Sequence, residues 1–376
     1  MTTLLAIGHA SADMPSAQDN KPAPPCTLTQ TADSAFSWQD KNVLWLGTSI
    51  PHQGHGKDGY PELFCKLMGC KVTNNAFSGS HMRWFETDKD ERCRSGRNAP
   101  KGLSATSREL LAKIHEAATL PDSSYKPSCN KATNPLSMSY EHRINRPWVS
   151  THFDAVVIDH GHNDRSPDPA RRQDALGTLA PLPIEILAIR KGSVTELQLP
   201  RSHGLKVNDD ITIRTPGIAK MDYWTGEIAS VDGEKITLPL DSSAWVGEYG
   251  NSGSLVRYDK TKLYDAYNLI ISDIRHMSAR HGGKPAYVVV MTPPTEWTHG
   301  KNDGSIAALN EALYRIAARW NLPVYDMTAE LQINQDNLRT LLPDTVHPTT
   351  VEARSIIARH IADRARRGGT STDCNK

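Results

Sequence analysis

The sequence predicts an α/β protein in which a parallel sheet lies between two layers of helices and carries an inserted all-β domain. Short, unbroken apolar runs end abruptly in small residues, which is typical of strands buried on both faces. Amphipathic helical stretches alternate with these runs, so right-handed crossovers and a three-layer α/β/α sandwich are expected. Between Leu187 and Arg257 the pattern changes to short strands separated by turn residues. This change indicates a second domain, inserted at residues 190–256.

The first strand is predicted at residues 42–46, where an unbroken apolar run stops at Gly47, Thr48 and Ser49. In open α/β sheets the chemistry lies just past the carboxyl ends of the strands. Ser49 is therefore placed where a nucleophile would be. The alternative is that its side chain only caps the segment that follows.

The remaining α/β elements follow from the same periodicities. A proline at the start and a glycine at the stop predict a helix over 61–68. A capping-box pattern predicts another helix over 107–118, within a polar excursion of residues 83–150. Apolar runs and helical stripes predict strands at 71–76, 153–158, 287–291 and 323–325, and helices at 262–280, 305–320 and 351–366.

The inserted segment is predicted to be all-β because its apolar residues lie in short stretches between Gly, Asn-Asp and Asp-Gly turns. Residues 231–236 predict a hairpin. Both a small barrel and a sandwich satisfy the pattern, which is loosely similar to small β modules of phage tail proteins. The aromatic residues of this segment either stack on sugar rings or form its own core; they are Tyr223, Trp224, Trp245 and Tyr249.

Composition limits the classes of partner. The 376 residues carry a net charge of +1, which gives no electrostatic case for nucleic acid or an anionic membrane. No apolar run approaches the length of a membrane span. Residues 1–38 are expected to be a signal-peptide remnant followed by a linker, or else an ordinary disordered terminus. The protein is accordingly expected to be secreted or periplasmic, or associated with a virion or cell surface.

The six cysteines lack the spacing of a zinc site. Proximity in sequence favours a disulfide between Cys65 and Cys70. Cys93 and Cys129 lie in the same polar segment, residues 83–150, which favours a second disulfide between them. An even cysteine count with a signal-like start favours an oxidising compartment. The alternative is a set of reduced, buried thiols.

Four short segments carry the candidate site, three after predicted strands and one before the last helix. They contain Ser49, Gly79, the pair Gly161 and Asn163, and the pair Asp344 and His347. In this order they resemble the SGNH (GDSL-type) hydrolase family. The first segment reads Gly-Thr-Ser-Ile where the family often has Gly-Asp-Ser-Leu. The resemblance implies a flavodoxin-like hydrolase domain formed by residues 39–189 and 257–370.

The resemblance further implies a serine hydrolase that works through an acyl-enzyme. Ser49 would be the nucleophile, His347 its general base, and Asp344 the group that fixes the histidine tautomer. The oxyanion would be bound by the backbone N–H groups of Ser49 and Gly79 and by the side-chain amide of Asn163. No metal or organic cofactor is required. Without the upstream segments, Asp344 and His347 would be interpreted as a capping pair of the last helix.

The surroundings of this site favour a carbohydrate ester as substrate. Trp84 and Trp297 are predicted on loops at the carboxyl edge of the sheet, where indole rings suit the apolar faces of sugars. The alternative is that both pack inward. Polar residues on the same loops suit a hydroxylated substrate; they are His81, Arg83, Arg165 and His299.

The leading hypothesis is a secreted esterase that removes O-acyl groups, mainly acetyl, from a carbohydrate. One alternative is a lipase or thioesterase that acts on lipid acyl chains. Another is a phage or cell-surface structural or binding protein with a hydrolase core. The sequence leaves the oligomeric state open.

Overall fold

The computed structural model describes residues 27–30, 36–76, 78, 80–83, 152–179, 181–215, 217–218, 220–247, 249–250, 253–259, 261–280, 285–297, 299, 301–368 and 370–373. The strands among them are β1 (Thr27–Gln30), β2 (Asn42–Gly47), β3 (Lys71–Asn74), β4 (Ala155–Asp159), β5 (Ile184–Glu185), β6 (Ala188–Arg190), β7 (Thr195–Gln198), β8 (Asp210–Arg214), β9 (Thr225–Glu227), β10 (Ser230–Asp232), β11 (Lys235–Leu238), β12 (Ser254–Tyr258), β13 (Tyr287–Met291), β14 (Val324–Tyr325) and β15 (Thr370–Asp373). The helices are α1 (Ser49–His52), α2 (Tyr60–Met68), α3 (Pro169–Leu176), α4 (Leu263–Arg280), α5 (Ser305–Trp320), α6 (Met327–Leu331), α7 (Leu338–Leu341) and α8 (Val351–Arg367), and a 3-10 turn spans His162–Asp164.

Among these residues the central sheet has seven strands in the order β1-β15-β14-β13-β4-β2-β3. The strands from β14 to β3 are parallel. Beyond β14, β15 is antiparallel to β14 and β1 is antiparallel to β15. Numbered by position in the chain, the parallel strands run 2-1-3-4-5, which is the flavodoxin-like order. The predicted α/β fold class is therefore confirmed.

Side chains of the parallel strands alternate between the two faces of the sheet. From β2, Leu44 and Leu46 pack with α4 and α5, whereas Val43 and Trp45 pack with α2, α6, α7 and α8. All four side chains are fully buried, and each such burial stabilises the fold by about 1.5–3 kcal/mol. Helices on both faces explain why the sequence of β2 is an unbroken apolar run.

The observed elements lie close to the predicted ones. The helix predicted over 305–320 is α5, and α2 ends at Gly69, whose φ of +73° provides the predicted glycine stop. The helix predicted over 107–118 lies outside the described residues. In the part of the chain that the structure describes, no helix is both long and apolar enough to span a bilayer.

Part of the amino-terminal segment, for which the sequence predicts a linker up to residue 38, belongs to the fold. Strand β1 pairs with β15 from the other end of the chain. Trp38 is 2% exposed and packs edge-on against Phe64 at a ring distance of 5.0 Å. Phe36 stacks on Tyr287 with 4.3 Å between ring centroids. A four-residue edge strand is too short to show an alternating pattern, which is why the sequence does not reveal it.

Cys65 and Cys70 form the disulfide that their proximity predicts. The bond joins the last turn of α2 to the residue before β3, and Cys65 is buried in the core. Cys93 and Cys129 lie outside the described residues.

The inserted segment forms two four-stranded antiparallel sheets, in the orders β10-β11-β7-β6 and β5-β12-β8-β9, around one apolar core. Its strands span residues 184–258, so β5 and most of β6 precede the predicted start at residue 190. The predicted hairpin joins β10 to β11, with Asp232 opposite Lys235 and Gly233 in the turn at φ +58°.

The aromatic side chains of the insertion are used within the fold. Trp224, Trp245 and Tyr249 pack against the insertion's own apolar core. Tyr223 lies under the guanidinium of Arg214 at 3.9 Å and beside the Trp320 ring at 6.2 Å. Trp224, Trp245 and Tyr249 thus follow the alternative in which the aromatics form the insertion's own core, whereas Tyr223 packs where the insertion meets α5.

The insertion docks onto the second half of α4. Thr225 donates a hydrogen bond to Asp273 (3.2 Å), and Arg275 donates to the hydroxyl of Tyr223 (3.4 Å) and to the carbonyl of Trp320 (2.8 Å). Helix α4 leads into β13 and α5 leads into β14, so their carboxyl-terminal ends lie at the amino edge of the central sheet. The docking contacts therefore lie toward the edge opposite the carboxyl ends of the strands.

Candidate active site

The strand order creates a crevice between β2 and β4. The chain leaves β2 toward β3 on one side and later enters β4 on the other side, so the connections diverge at the carboxyl ends of these neighbours. In doubly wound folds, ligands bind at such a switch point. Ser49 follows β2 directly and the turn His162–Asp164 follows β4. Both segments therefore reach the same crevice.

Ser49 is held by the turn that begins α1. Thr48 is extended (φ −94°, ψ −154°), and its hydroxyl accepts a hydrogen bond from the N–H of Ile50 at 3.4 Å. A threonine hydroxyl can thus cap this helix where the family often has an aspartate. As the first residue of α1, Ser49 has a backbone N–H with no acceptor inside the helix. That N–H can donate a hydrogen bond to an oxyanion.

His347 connects Ser49 to an acid on its own loop. Its Nε2 lies 2.7 Å from Oγ of Ser49, and its Nδ1 lies 2.7 Å from Oδ2 of Asp344. The other carboxylate oxygen of Asp344 accepts the backbone N–H groups of Val346 (2.9 Å) and His347 (2.6 Å). The structure therefore brings together the three residues predicted as nucleophile, base and orienting acid.

The ionisation of Asp344 decides the tautomer of His347. Burial raises the pKa of Asp344, but the hydrogen bonds from the backbone and ring of His347 and from Val346 bring the pKa below its ordinary value. An ionised carboxylate can only accept hydrogen bonds, so Nδ1 of His347 carries the hydrogen. Nε2 is then free to accept the hydroxyl proton of Ser49, as a general base requires.

Asn163 is presented by a turn that depends on glycine. Gly161 has φ +98°, and a Cβ at this position would lie 3.0 Å from Cδ1 of Leu309. The amide of Asn163 donates one hydrogen bond to the carbonyl of Ser80 at 2.8 Å. The amide carries a second hydrogen, which can donate a hydrogen bond to an oxyanion, the role predicted for Asn163.

Ser80 joins the segment after β3 to the ends of β2 and β4. It is fully buried; its hydroxyl donates to the carbonyl of Gly47 (3.0 Å) and lies 3.2 Å from Nε2 of His160. Together with the bond from Asn163, these contacts hold three parts of the crevice in place. Gly79, predicted as an oxyanion donor, directly precedes Ser80 and lies outside the described residues.

Asp164 fixes the two residues that follow His81. Its carboxylate accepts the backbone N–H groups of Met82 and Arg83, both at 2.7 Å. Burial opposes its ionisation, but the nearby His160, His81 and Arg83 bring its pKa below the ordinary value. The guanidinium of Arg83 donates to the carbonyl of Asp164 at 2.9 Å. Arg83, predicted to contact the substrate, is therefore engaged inside the fold.

His162 is a neutral imidazole close to His347. It is 7% exposed, and burial, followed by the positive charge of Arg165, lowers its pKa to about 3. Arg165 donates from Nη1 to the carbonyl of His162 at 2.5 Å. Because His162 stays neutral, His347 can gain a proton during catalysis without a second imidazolium beside it.

A buried acid lies at the end of β4. Asp159 pairs in register with Gly47, and its carboxylate accepts hydrogen bonds from the hydroxyl of Tyr60 and from Nε1 of Trp45 (3.3 Å). Burial raises the pKa of Asp159 to about 7, and the hydrogen bonds from Tyr60 and Trp45 limit the rise. Its protonation therefore changes near neutral pH.

The predicted substrate contacts are placed as follows. Trp297 is half-buried on the loop after β13, and its ring packs against the core on the α8 side of the sheet. Its backbone N–H donates to the hydroxyl of Thr295 at 3.0 Å. His299 is exposed on the same loop. Trp84 lies outside the described residues.

The arrangement can carry out acyl transfer. Oγ of Ser49 can attack a carbonyl carbon while its proton passes to Nε2 of His347, and Asp344 stabilises the resulting imidazolium. The oxyanion of the tetrahedral intermediate can accept hydrogen bonds from the N–H of Ser49 and from the second amide hydrogen of Asn163. His347 can then protonate the leaving oxygen, and water can release the acyl group by the reverse sequence.

The sheet order and the Ser49–His347–Asp344 hydrogen bonds define the class: an α/β protein with a hydrolase-type triad at the carboxyl edge of its sheet. No family model matches the chain, and no curated protein matches it. Solved structures do match, and those below belong to SGNH or GDSL-type hydrolases or to an acetyl xylan esterase.

A variant of Axe2, an acetyl xylan esterase from Geobacillus stearothermophilus, is 14% identical, with 89% of this chain and 98% of that chain covered and a TM-score of 0.36. A candidate SGNH hydrolase from Slackia heliotrinireducens is 12% identical, with 86% of this chain and 98% of that chain covered and a TM-score of 0.35. A candidate GDSL-like lipase from Parabacteroides merdae is 10% identical, with 89% of this chain and 98% of that chain covered and a TM-score of 0.35. These values are too low for the activity of those proteins to be transferred, so the fold assignment rests on the sheet order and the site rests on its own geometry.

Two residues that hold the site were not predicted, namely Ser80 and Arg354. Ser80 carried no signal beyond its position next to Gly79. The sequence does carry a signal for Arg354, because this residue lies beside Ala353 on the apolar stripe of α8, a turn before Ile357. A buried position for an arginine indicates that its charge has a specific partner.

Proposed function

We propose that the protein is a serine esterase that removes O-acyl groups, mainly acetyl, from a carbohydrate. The observation that carries the proposal is the continuous hydrogen-bonded chain from Oγ of Ser49 through His347 to Asp344, with 2.7 Å at each step. A serine hydroxyl becomes a useful nucleophile when a base takes its proton. The position of this chain at the switch point of the sheet supports a catalytic role for it.

The polar surroundings of Ser49 support a short acyl group on a hydroxylated substrate. Residues near the site include His162, Asn163, Arg165 and His299. Of the large apolar side chains exposed in the described ranges, Val351 is the one on an element adjoining His347. A long acyl chain would need a larger apolar groove.

The Cys65–Cys70 disulfide supports a secreted or periplasmic location, because such bonds persist in oxidising compartments.

The test is hydrolysis of 4-nitrophenyl esters of increasing chain length, together with acetate release from an acetylated oligosaccharide. Acetyl should be the preferred acyl group. Ser49→Ala and His347→Ala should each lower kcat by about 10³-fold or more with the fold retained. Ser243→Ala, in the inserted domain, is the matched control and should retain full activity.

The other outcomes distinguish the alternatives. A preference for octanoyl or longer esters would indicate a lipase or thioesterase. Absence of turnover on every ester would indicate a structural or binding protein. Retention of more than a few per cent of turnover in either variant would reject the assignment of Ser49 and His347.

A further inference from the structure

One buried arginine bonds both to the loop that follows α1, the helix that Ser49 begins, and to the two residues that follow His347. Arg354 lies in the first turn of α8 and is 6% exposed. We propose that Arg354 is a positioning residue that holds His347 at hydrogen-bond distance from Ser49. This inference rests on the proposed serine-esterase function and adds to it a residue that does not touch the reacting atoms.

The first set of contacts fixes the segment after His347. Nη1 of Arg354 donates to the carbonyl of Pro348 at 3.1 Å and to the carbonyl of Thr349 at 2.8 Å. These are the two residues that directly follow His347. The N–H of Thr349 also donates to the carbonyl of His347 at 2.9 Å. The backbone on the carboxyl side of His347 is therefore tied to the first turn of α8.

The second set of contacts fixes the loop after α1. Nε of Arg354 donates to the carbonyl of Asp58 and Nη2 donates to its Oδ1, both at 2.8 Å. The turn is closed by the carbonyl of Gly54, which accepts the N–H groups of Lys57, Asp58 and Gly59 at 2.8–3.1 Å. A Cβ at Gly54 would lie 2.8 Å from Nε of Arg354, so the turn packs directly on the guanidinium.

The energetics of a buried charge make these contacts specific. A guanidinium on the apolar stripe of α8 would be costly to bury without hydrogen-bond partners. Here it makes four hydrogen bonds, and its planar fork fits the carbonyl and carboxylate of Asp58 at the same time. Loss of the fork would remove the hydrogen bonds that join the two residues after His347 to the loop after α1.

Proton transfer depends on that connection. The 2.7 Å between Nε2 of His347 and Oγ of Ser49 joins residues whose segments are remote in sequence. A displacement of about 1 Å at a catalytic group can cost about 10²-fold in rate. A residue that sets this distance should affect kcat, and it should leave KM nearly unchanged because it does not touch the substrate.

The experiment compares two buried arginines on the same helix. Arg364 lies three turns further along α8, is 7% exposed and pairs with Glu330 at 3.5 Å, remote from His347. Arg354→Met and Arg364→Met should both lower Tm. On 4-nitrophenyl acetate, at a temperature where both variants are folded, only Arg354→Met should lower kcat, by about 10²-fold, with KM within about threefold. Arg354→Lys keeps the charge without the fork and should recover part of the loss.

A kcat for Arg354→Met equal to that of Arg364→Met, or a change confined to KM, would overturn the proposal. If Arg354→Met does not fold, Asp58→Ala is the second variant, because it removes one of the four bonds from a partly exposed loop. It should lower kcat by about tenfold, and an unchanged kcat would overturn the proposal as well.

Failure of the proposed function gives a different result. If wild type and Ser49→Ala hydrolyse the ester at the same rate, the serine-esterase proposal is wrong. The position of His347 is then measured by the NMR signal of its Nδ1 proton, assigned by its loss in His347→Gln. That signal should shift or vanish in Arg354→Met and persist in Arg364→Met. An unchanged signal in Arg354→Met would overturn the positioning role.

Discussion

At the scale of single residues, Asp159 links the stability of the protein to pH. Burial first of all raises its pKa from 3.8 to about 7. Between these values the folded state keeps a proton that the unfolded state releases, so the folded state binds more protons. The free energy of unfolding therefore falls as pH rises through this window and levels off above about pH 7. At about 1.4 kcal/mol per pKa unit, deprotonation of Asp159 lowers the free energy of unfolding by about 4 kcal/mol at most.

We expect Asp159→Asn to remove this pH dependence. The amide oxygen can still accept from Tyr60 and Trp45, and the side chain no longer ionises. The variant should therefore gain stability relative to wild type as pH rises from about 4 to 7, measured by urea unfolding at each pH. Asp232→Asn, exposed in the β10–β11 hairpin, is the control for loss of one carboxylate. A stability difference for Asp159→Asn that stays constant with pH would contradict the expectation.

The residues of the candidate site differ in how far the sequence reveals them. Asp344 and His347 lie three positions apart on one loop, and Ser49 follows an apolar run. Each segment alone would be interpreted as a helix cap, and the ordered set of four segments predicts them. Ser80 and Arg354 act through partners that are distant in the chain. Their contacts with Gly47, His160 and Asp58 exist only once the sheet has formed, and no local pattern encodes them.

At the scale of elements, the turn between β4 and α3 determines where Asn163 points. Gly161→Ala places a side chain at φ +98°, close to Leu309. Backbone strain of this kind costs about 1–3 kcal/mol. Because the turn carries Asn163, we also expect kcat to fall by about 10-fold to 10²-fold as the oxyanion donor moves. Urea unfolding and ester hydrolysis measure the two effects.

Gly233→Ala is the matched control. Gly233 has φ +58°, and a Cβ there meets nothing within 4 Å. It lies in the inserted domain, so the substitution should lower stability by a similar amount without lowering kcat. An equal fall of kcat in the two variants, or an unchanged kcat in Gly161→Ala, would show that this turn does not place a catalytic group.

Elements with a strong internal period were predicted well, and those held by pairing alone were not. Helix α5 carries its apolar stripe over sixteen residues, which is enough for the period to define both ends. The β1–β15 pair depends on strands of four residues from opposite ends of the chain. A segment of that length has too few positions to show alternation, and its partner cannot be found from local sequence.

At the scale of the whole molecule, side-chain hydrogen bonds dock the insertion onto the second half of α4, remote from the carboxyl end of β2. The insertion is docked through Tyr223, Thr225, Asp273 and Arg275 toward the amino edge. Ser49 follows the carboxyl end of β2. Sites that share no contacts usually behave independently within a few tenths of a kcal/mol. The catalytic rate on a small substrate should therefore not depend on the insertion.

We expect a protein in which residues 184–258 are replaced by a short linker to hydrolyse 4-nitrophenyl acetate with kcat and KM within about threefold of wild type. Its Tm should fall, because removal of the insertion exposes the face of α4 that carries Arg275. Tyr223→Ala loosens the same docking surface while keeping the domain, and it should lower Tm with kcat unchanged. This second variant keeps the test decisive if the shortened protein does not fold. A large fall of kcat in folded Tyr223→Ala would mean that the insertion shapes the active site through α4.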